Sequence, residues 1–230
     1  MLINLHLKTI SSCVKDILSS RPFLEEALSR HIINYSALAE DLNPLISKVL
    51  KKQVKSGAIM MALRRYNSPI SPKLKSSLSN IFSRLGDITL RSNLIDYTFQ
   101  NSNTLINNHS KVLKKIDKDR HVFYAFTRGI HESNLIISSS KAQIIESIFP
   151  EEILLAKQNN LSSISINLPS GNTKIVGLYY QIFRLLAWEN ITLYEVVSTT
   201  NEFIIVVEDH LVEKAFSVIS QLKTIDFYKQ

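Results

Sequence analysis

Between residues 10 and 66 apolar positions recur every three or four residues, whereas beyond residue 87 they alternate. "SALAEDL" places Leu38 and Leu42 four apart, and "LISKVLKKQV" carries Leu45, Val49 and Leu50. "AIMMALRRY" gathers Ile59, Ala62, Leu63 and Tyr66 on one face. This spacing predicts amphipathic helices. Ser12 is expected to cap a helix from Cys13 to about Ser19. Pro22 opens the next, which has Glu25 and Glu26 early and Arg30 late, as the helix dipole favours. Asn34 or Ser36 caps the third, Pro44 interrupts or kinks it, and Ser56-Gly57 precedes the last. Short helices with tight breaks predict an all-α, helix-turn-helix-like bundle over residues 1–66.

Residues 67–86, "NSPISPKLKSSLSNIFSRLG", contain two prolines, six serines and no acidic residue. They read as a linker that holds a short helix at Lys73 to Leu85. One order of elements then occurs twice. The first pass is a strand (87–100), a helix (104–116), two strands (121–128 and 133–139) and a helix (141–149). The second is a strand (162–168), a helix (178–190), two strands (191–197 and 202–207) and a helix (210–223), with "TIDFYK" as a candidate edge strand. The fold class expected is α+β, with two ferredoxin-like βαββα repeats over 87–160 and 161–230.

The second pass, "SSISINLPSG" followed by "VGLYYQIFRLLAWENITLYEVVSTTNEFIIVVEDHLVEKAFSVI", resembles an ACT domain, in particular the regulatory ACT repeat of aspartate kinases. The resemblance covers residues 161–222 in sequence and 87–149 through element order. Residues 13–66 look similar to helix-turn-helix modules joined to ACT-like domains in prokaryotic proteins. The resemblance implies side-by-side pairing of ACT-like sheets, as eight strands within one chain or as a homodimer. It also implies amino-acid sensing at strand-to-helix junctions. In the second repeat "NLPSGNTKIVGLYY" brings Asn167, Asn172, Val176, Gly177 and Leu178 to that place. In the first, "FQNSNTLINNHS" offers Asn101 and Asn103, with Ser102 and Thr104 as cap residues able to hydrogen-bond an amino or carboxylate group. The second junction is longer than the Pro-Gly or Asn turns common in amino-acid-binding relatives. That length, with the missing glycine in the first, leaves a rival reading open: an ACT-like scaffold for dimerisation or protein–protein contact without ligand.

Charge adds a second theme. The chain carries +7 overall, and residues 1–86 hold 13 Lys and Arg against 5 Asp and Glu. All the positive excess therefore lies in the first third, as for a domain that meets DNA or another polyanion. Lys48, Lys51, Lys52 and Lys55 recur at helical spacing, which predicts one basic stripe for phosphates, joined by Arg64 and Arg65.

Catalytic chemistry is not expected. The five glycines form no phosphate-binding array, so aspartate kinase activity is not anticipated, and 86 residues are few for a kinase domain. The six histidines lack ligand spacing, so neither metal nor cofactor is expected. Cys13 is expected as a buried small hydrophobe, and Trp188 as a core or interface residue. With no signal peptide or membrane-spanning run in view, the chain reads as a cytoplasmic, non-enzymatic regulator.

Overall fold

Thr9, not Ser12, opens the first helix. Its hydroxyl accepts from the Ser12 N–H at 3.1 Å, and the Ser12 hydroxyl accepts from the Thr9 N–H at 2.9 Å. This reciprocal capping box starts α1 at Ile10–Ser19. In the computed structural model, which describes residues 8–66 and 72–224, α2 (Pro22–Ser29), α3 (Tyr35–Leu50) and α4 (Ser56–Arg65) follow. They share a core that includes Cys13, Leu18, Leu42, Ile46, Ile59 and Leu63. Asn34 caps α3, its Oδ1 accepting from the N–H groups of Ser36 and Ala37.

α3 runs through Pro44 without interruption. A proline inside a helix loses one backbone bond and crowds the preceding turn. Burial of Leu38, Ala39, Leu42 and Ile46 on one face outweighs that loss. Leu45 and Val49 lie off this face and are substantially exposed, contrary to the apolar stripe predicted for them.

The basic stripe does not form. α3 stops at Leu50 because Lys51 turns left-handed at φ 53°, and the N–H groups of Lys51 and Lys52 close onto the carbonyls of Lys48 and Ser47. Asn43 Nδ2 then donates to the Val54 carbonyl and the Ser56 hydroxyl, while the Ser47 hydroxyl accepts from the Val54 N–H. Lys48 alone of the four lysines sits on α3. Lys51 and Lys52 lie in the turn, and Lys55 is the N-cap of α4. All four are exposed, as are Arg64 and Arg65 in the last turn of α4, but no single helix presents them.

The chain divides into two compact units, Met1–Pro72 and Lys73–Gln230. In the second, α5 (Pro72–Ser83) occupies most of the stretch read as a linker. Leu78, Ile81, Phe82 and Leu85 are buried in one core with Ile164, Ile182 and Phe203, so these residues are structural rather than connecting. Residues 67–71 of that stretch lie outside the described residues, as does the "TIDFYK" strand apart from Thr224.

The rest of this unit runs β1 (Ile88–Gln100), α6 (Leu105–Ile116), β2 (Tyr124–Arg128), β3 (Glu132–Ser138), α7 (Ala142–Ile148), β4 (Leu154–Asn167), α8 (Leu178–Trp188), β5 (Glu195–Ser198), β6 (Glu202–Glu208) and α9 (Val212–Gln221). Among the described residues the strands form one antiparallel sheet of six in the order β2-β3-β1-β4-β6-β5, not eight. The reason is that β1 and β4 each serve both halves. Leu94–Gln100 pair with β3, while Ile88–Arg91 run beside the part of β4 that pairs with β6. Leu154–Gln158 in turn run beside the first-half part of β1. Each half has three strands of its own and borrows a segment as its fourth.

The hand-over lies at two matched bulges. Asn93 and Asn160 take φ of 58° and 57°, and the β1–β4 register slips around each. Asparagine tolerates left-handed backbone better than most residues, and a bulge bends its strand. The bend curves the sheet, and its helix-free face closes enough to bury Leu94, Ile136, Leu161 and Val206 completely. Across that face Tyr194, just before β5, donates its hydroxyl to Asp96 Oδ2 on β1 at 3.3 Å. On one face α6 and α7 cover Ile95, Phe99, Leu135 and Ile137, while α5, α8 and α9 cover Ile164, Ile166, Phe203 and Ile205. On the other face Leu94, Ile136, Leu161, Ile204 and Val206 pack together.

Candidate functional site

Each half turns from its first strand into a helix, and the two turns differ in what fills them. In the second half, Gly171 and Gly177 both take φ of 85°, a backbone state that costs glycine nothing. Gly177 caps α8 without any side-chain hydrogen bond to the first turn. Asn172, 2 % exposed, donates from Nδ2 to the carbonyls of Pro169 and Thr200 at 3.0 and 2.8 Å. It thereby ties the junction to the turn between β5 and β6, to which the Leu168 N–H also bonds through the Asn201 carbonyl at 2.7 Å. Its Oδ1 has no hydrogen-bond partner, and neither has Oε1 of Gln181, which is 8 % exposed in the first turns of α8.

In the first half the same place holds a carboxylate. Glu152, between α7 and β4 and 8 % exposed, accepts from the Ser102 hydroxyl at 2.6 Å, the Thr104 hydroxyl at 2.7 Å and Asn108 Nδ2 at 2.8 Å. Thr104 is the N-cap of α6 and Asn108 its fourth residue. Gly177 and Gln181 hold the same two positions on α8. Burial pushes the Glu152 carboxyl up, but the hydrogen bonds from Ser102, Thr104 and Asn108 together outweigh it and hold its pKa below the ordinary glutamate value.

The residues expected at these junctions divide. Asn172 and Gly177 build the second one, and Val176 beside them is 71 % exposed. Leu178 is buried in the helix-side core. Asn167 points instead to an open polar cavity of about 340 Å³ on the sheet face away from the helices, with Asp87, Thr89, Ser165, Asn201 and Glu202. Asn101 is committed to the β2–β3 turn, donating to the Gly129 carbonyl and accepting from the Ser133 hydroxyl. Asn103 is exposed. Glu152, Asn108 and Gln181 were not singled out by the sequence; their only signal is the matched offset from two helix starts. Cys13 is buried as expected; Trp188, expected in the core or at an interface, is 78 % exposed and so not in the core. Among the described residues no group of His, Cys, Asp or Glu is placed to hold a metal, and no helix is long and apolar enough to cross a membrane.

A second polar cluster lies inside the folded sheet. Asp96, 1 % exposed, accepts from Asn134 and Tyr194. Burial raises its pKa above the usual aspartate value despite hydrogen bonds from Asn134, Tyr194 and Thr98. Glu195 is raised too, by burial first and the Asp96 charge second. A carboxyl whose folded pKa exceeds its unfolded one contributes stability below the unfolded value, and that stability is lost as pH rises through the folded pKa. Asp96→Asn is therefore expected to raise the thermal midpoint at neutral pH and to flatten its decline from acid to neutral. Thermal melts of both proteins across that range check it.

No family model matches the chain, and no curated protein does. Among solved structures it is similar to aspartate kinase from Clostridium acetobutylicum, at 21 % identity over 59 % of this chain and 34 % of that one, TM-score 0.48. The chain thus spans about a third of that enzyme. It is similar to the regulatory subunit of aspartate kinase from Thermus thermophilus, at 10 % identity over 60 % of this chain and 97 % of that one, TM-score 0.49. It is also similar to a Vibrio cholerae protein of unknown function, at 16 % identity over 65 % and 98 %, TM-score 0.45.

Proposed function

We propose that the second half binds a small carboxylate ligand of the amino-acid class at the junction of β4 and α8. The observation that carries this reading is internal to the chain: the matching junction of the first half holds the carboxylate of Glu152. A helix start favours an anion through its free N–H groups and its dipole, and Gly177 presents no Cβ to block approach. The unpartnered acceptors of Asn172 and Gln181 call for donors, which an ammonium group supplies. An amino acid carries both. Occupancy would act through Asn172 on the β5–β6 turn, and a differential affinity of about 1–3 kcal/mol suffices for regulation. The scaffold alternative suits the first half, whose junction its own glutamate fills. For the expected homodimer, Leu154–Gln158 offers an edge paired only on its β1 side, with Leu154 and Leu155 exposed. DNA forms no part of this reading: the single helical stripe expected of Lys48, Lys51, Lys52 and Lys55 is not formed.

The test is a thermal-shift panel of the twenty amino acids at millimolar concentration on the full chain and on Gln181→Leu. At least one amino acid is expected to raise the wild-type midpoint, by linkage to the folded state. Gln181→Leu replaces an unpartnered buried acceptor by an apolar group, a change that is near neutral or stabilising. It should therefore melt no lower than wild type yet lose the ligand response. No shift in the wild type, or an equal shift in the variant, contradicts the assignment.

A further inference from the structure

The helix-free face of the sheet joins the two halves, and a carboxyl lies inside the join. Asp96, 1 % exposed, sits on the first-half part of β1, opposite Ile136 and two residues from Leu94. Its partners are neutral. Asn134 on β3 donates to Oδ1 at 2.5 Å, Thr98 on β1 to Oδ2 at a longer 3.5 Å, and Tyr194, from the second half, to Oδ2 at 3.3 Å. Gln158, its register partner on β4, turns its amide to the Asn159 carbonyl, and β2 brings Phe123 and Ala125 to this face. Arg91, beyond the Asn93 bulge, gives its guanidinium to the His121 carbonyl. From the β5 side comes a second carboxyl, Glu195, which the Asp96 charge opposes. Among the described residues no Lys, Arg or His pairs with either carboxyl. A buried charge without a counter-charge is costly unless its hydrogen bonds offset the loss of water. Three donors do so for Glu152; those of Asp96 do not.

We propose that Asp96 is a proton-operated latch between the halves: protonated, it lets the helix-free face close over it, and ionised, it opens that face about the Asn93 and Asn160 bulges. Each half keeps a helix-side core of its own, so the angle between them changes while both stay folded, as in a hinge. Opening returns the carboxylate to water and releases it from Tyr194. The sign follows from linkage. The carboxyl has a higher pKa closed than open, so closure is favoured in acid and lost as pH rises through the closed-state value. The latch is independent of what binds at α8, and the amino-acid panel does not bear on it.

The experiment is an electron–electron distance measurement on the full chain, spin-labelled at Ile130→Cys and Thr200→Cys with Cys13→Ala. Both positions are exposed, in the β2–β3 and β5–β6 turns. These are the hairpin ends away from the bulges, where a small change of angle moves the labels farthest. The distance is expected to lengthen in one step as pH rises from acid to mildly alkaline. Asparagine keeps the shape of the side chain without its charge, so Asp96→Asn should hold the short distance throughout. A distance that does not change with pH when Asp96 is present, or a step that Asp96→Asn leaves in place, overturns the proposal.

Discussion

Replacing Phe82 by alanine is expected to destabilise the C-terminal unit by about 3–5 kcal/mol, the usual cost of deleting a buried phenyl ring. Phe82 is among the largest fully buried side chains, packed from α5 into the core beneath β4 and β6. A residue in a solvated connector would change stability by no more than about 0.5 kcal/mol. Ser83, exposed on the next position, serves as the control: Ser83→Ala should stay within that narrow range. Urea melts followed by circular dichroism compare the two directly.

The second large effect belongs to the opposite face of the sheet. Leu161 is fully buried there with Leu94, Ile136, Ile204 and Val206, and its cross-strand partner is Leu94. Leu161→Ala is expected to cost about 2–5 kcal/mol. In a flat sheet that face would meet water, and the change would cost little. Residues in contact couple, so the double variant with Leu94→Ala should deviate from additivity by about 0.5–3 kcal/mol. Additive, sub-kilocalorie effects in these melts would contradict a sheet folded at Asn93 and Asn160.

What the sequence revealed and what it hid follow from the range of the forces involved. Alternation over residues 88–100 and the 3.6-residue periods of α6, α8 and α9 are local signals, and the elements lie where they predict. α5 was legible in the same way, since Leu78, Ile81, Phe82 and Leu85 stand at i, i+3, i+4 and i+7. The short helix expected at Lys73 to Leu85 is therefore present, and what its serine-rich composition masked is the burial of that face in the core. The lysine stripe failed for the converse reason. The helical period continues on paper past Leu50, but Lys51 turns left-handed with no glycine to announce it, and side chains of Asn43 and Ser47 fix the turn. The sharing of β1 and β4 between halves was hidden because two asparagines at bulges look like any polar pair. The carboxylate at α6 was hidden because Glu152 lies 44 to 50 residues from its three donors. Ser102 and Thr104 were legible as residues able to meet a carboxylate; the one they meet was not.

The most direct test of the central claim is amide hydrogen exchange on the full chain with and without an equimolar mixture of the twenty amino acids. The account predicts slower exchange over Gly177–Gln181 and over the β5–β6 turn that Asn172 holds, with no change over Leu105–His109, where Glu152 already fills the junction. Unchanged exchange at Gly177–Gln181, or equal slowing at both helix starts, would contradict it.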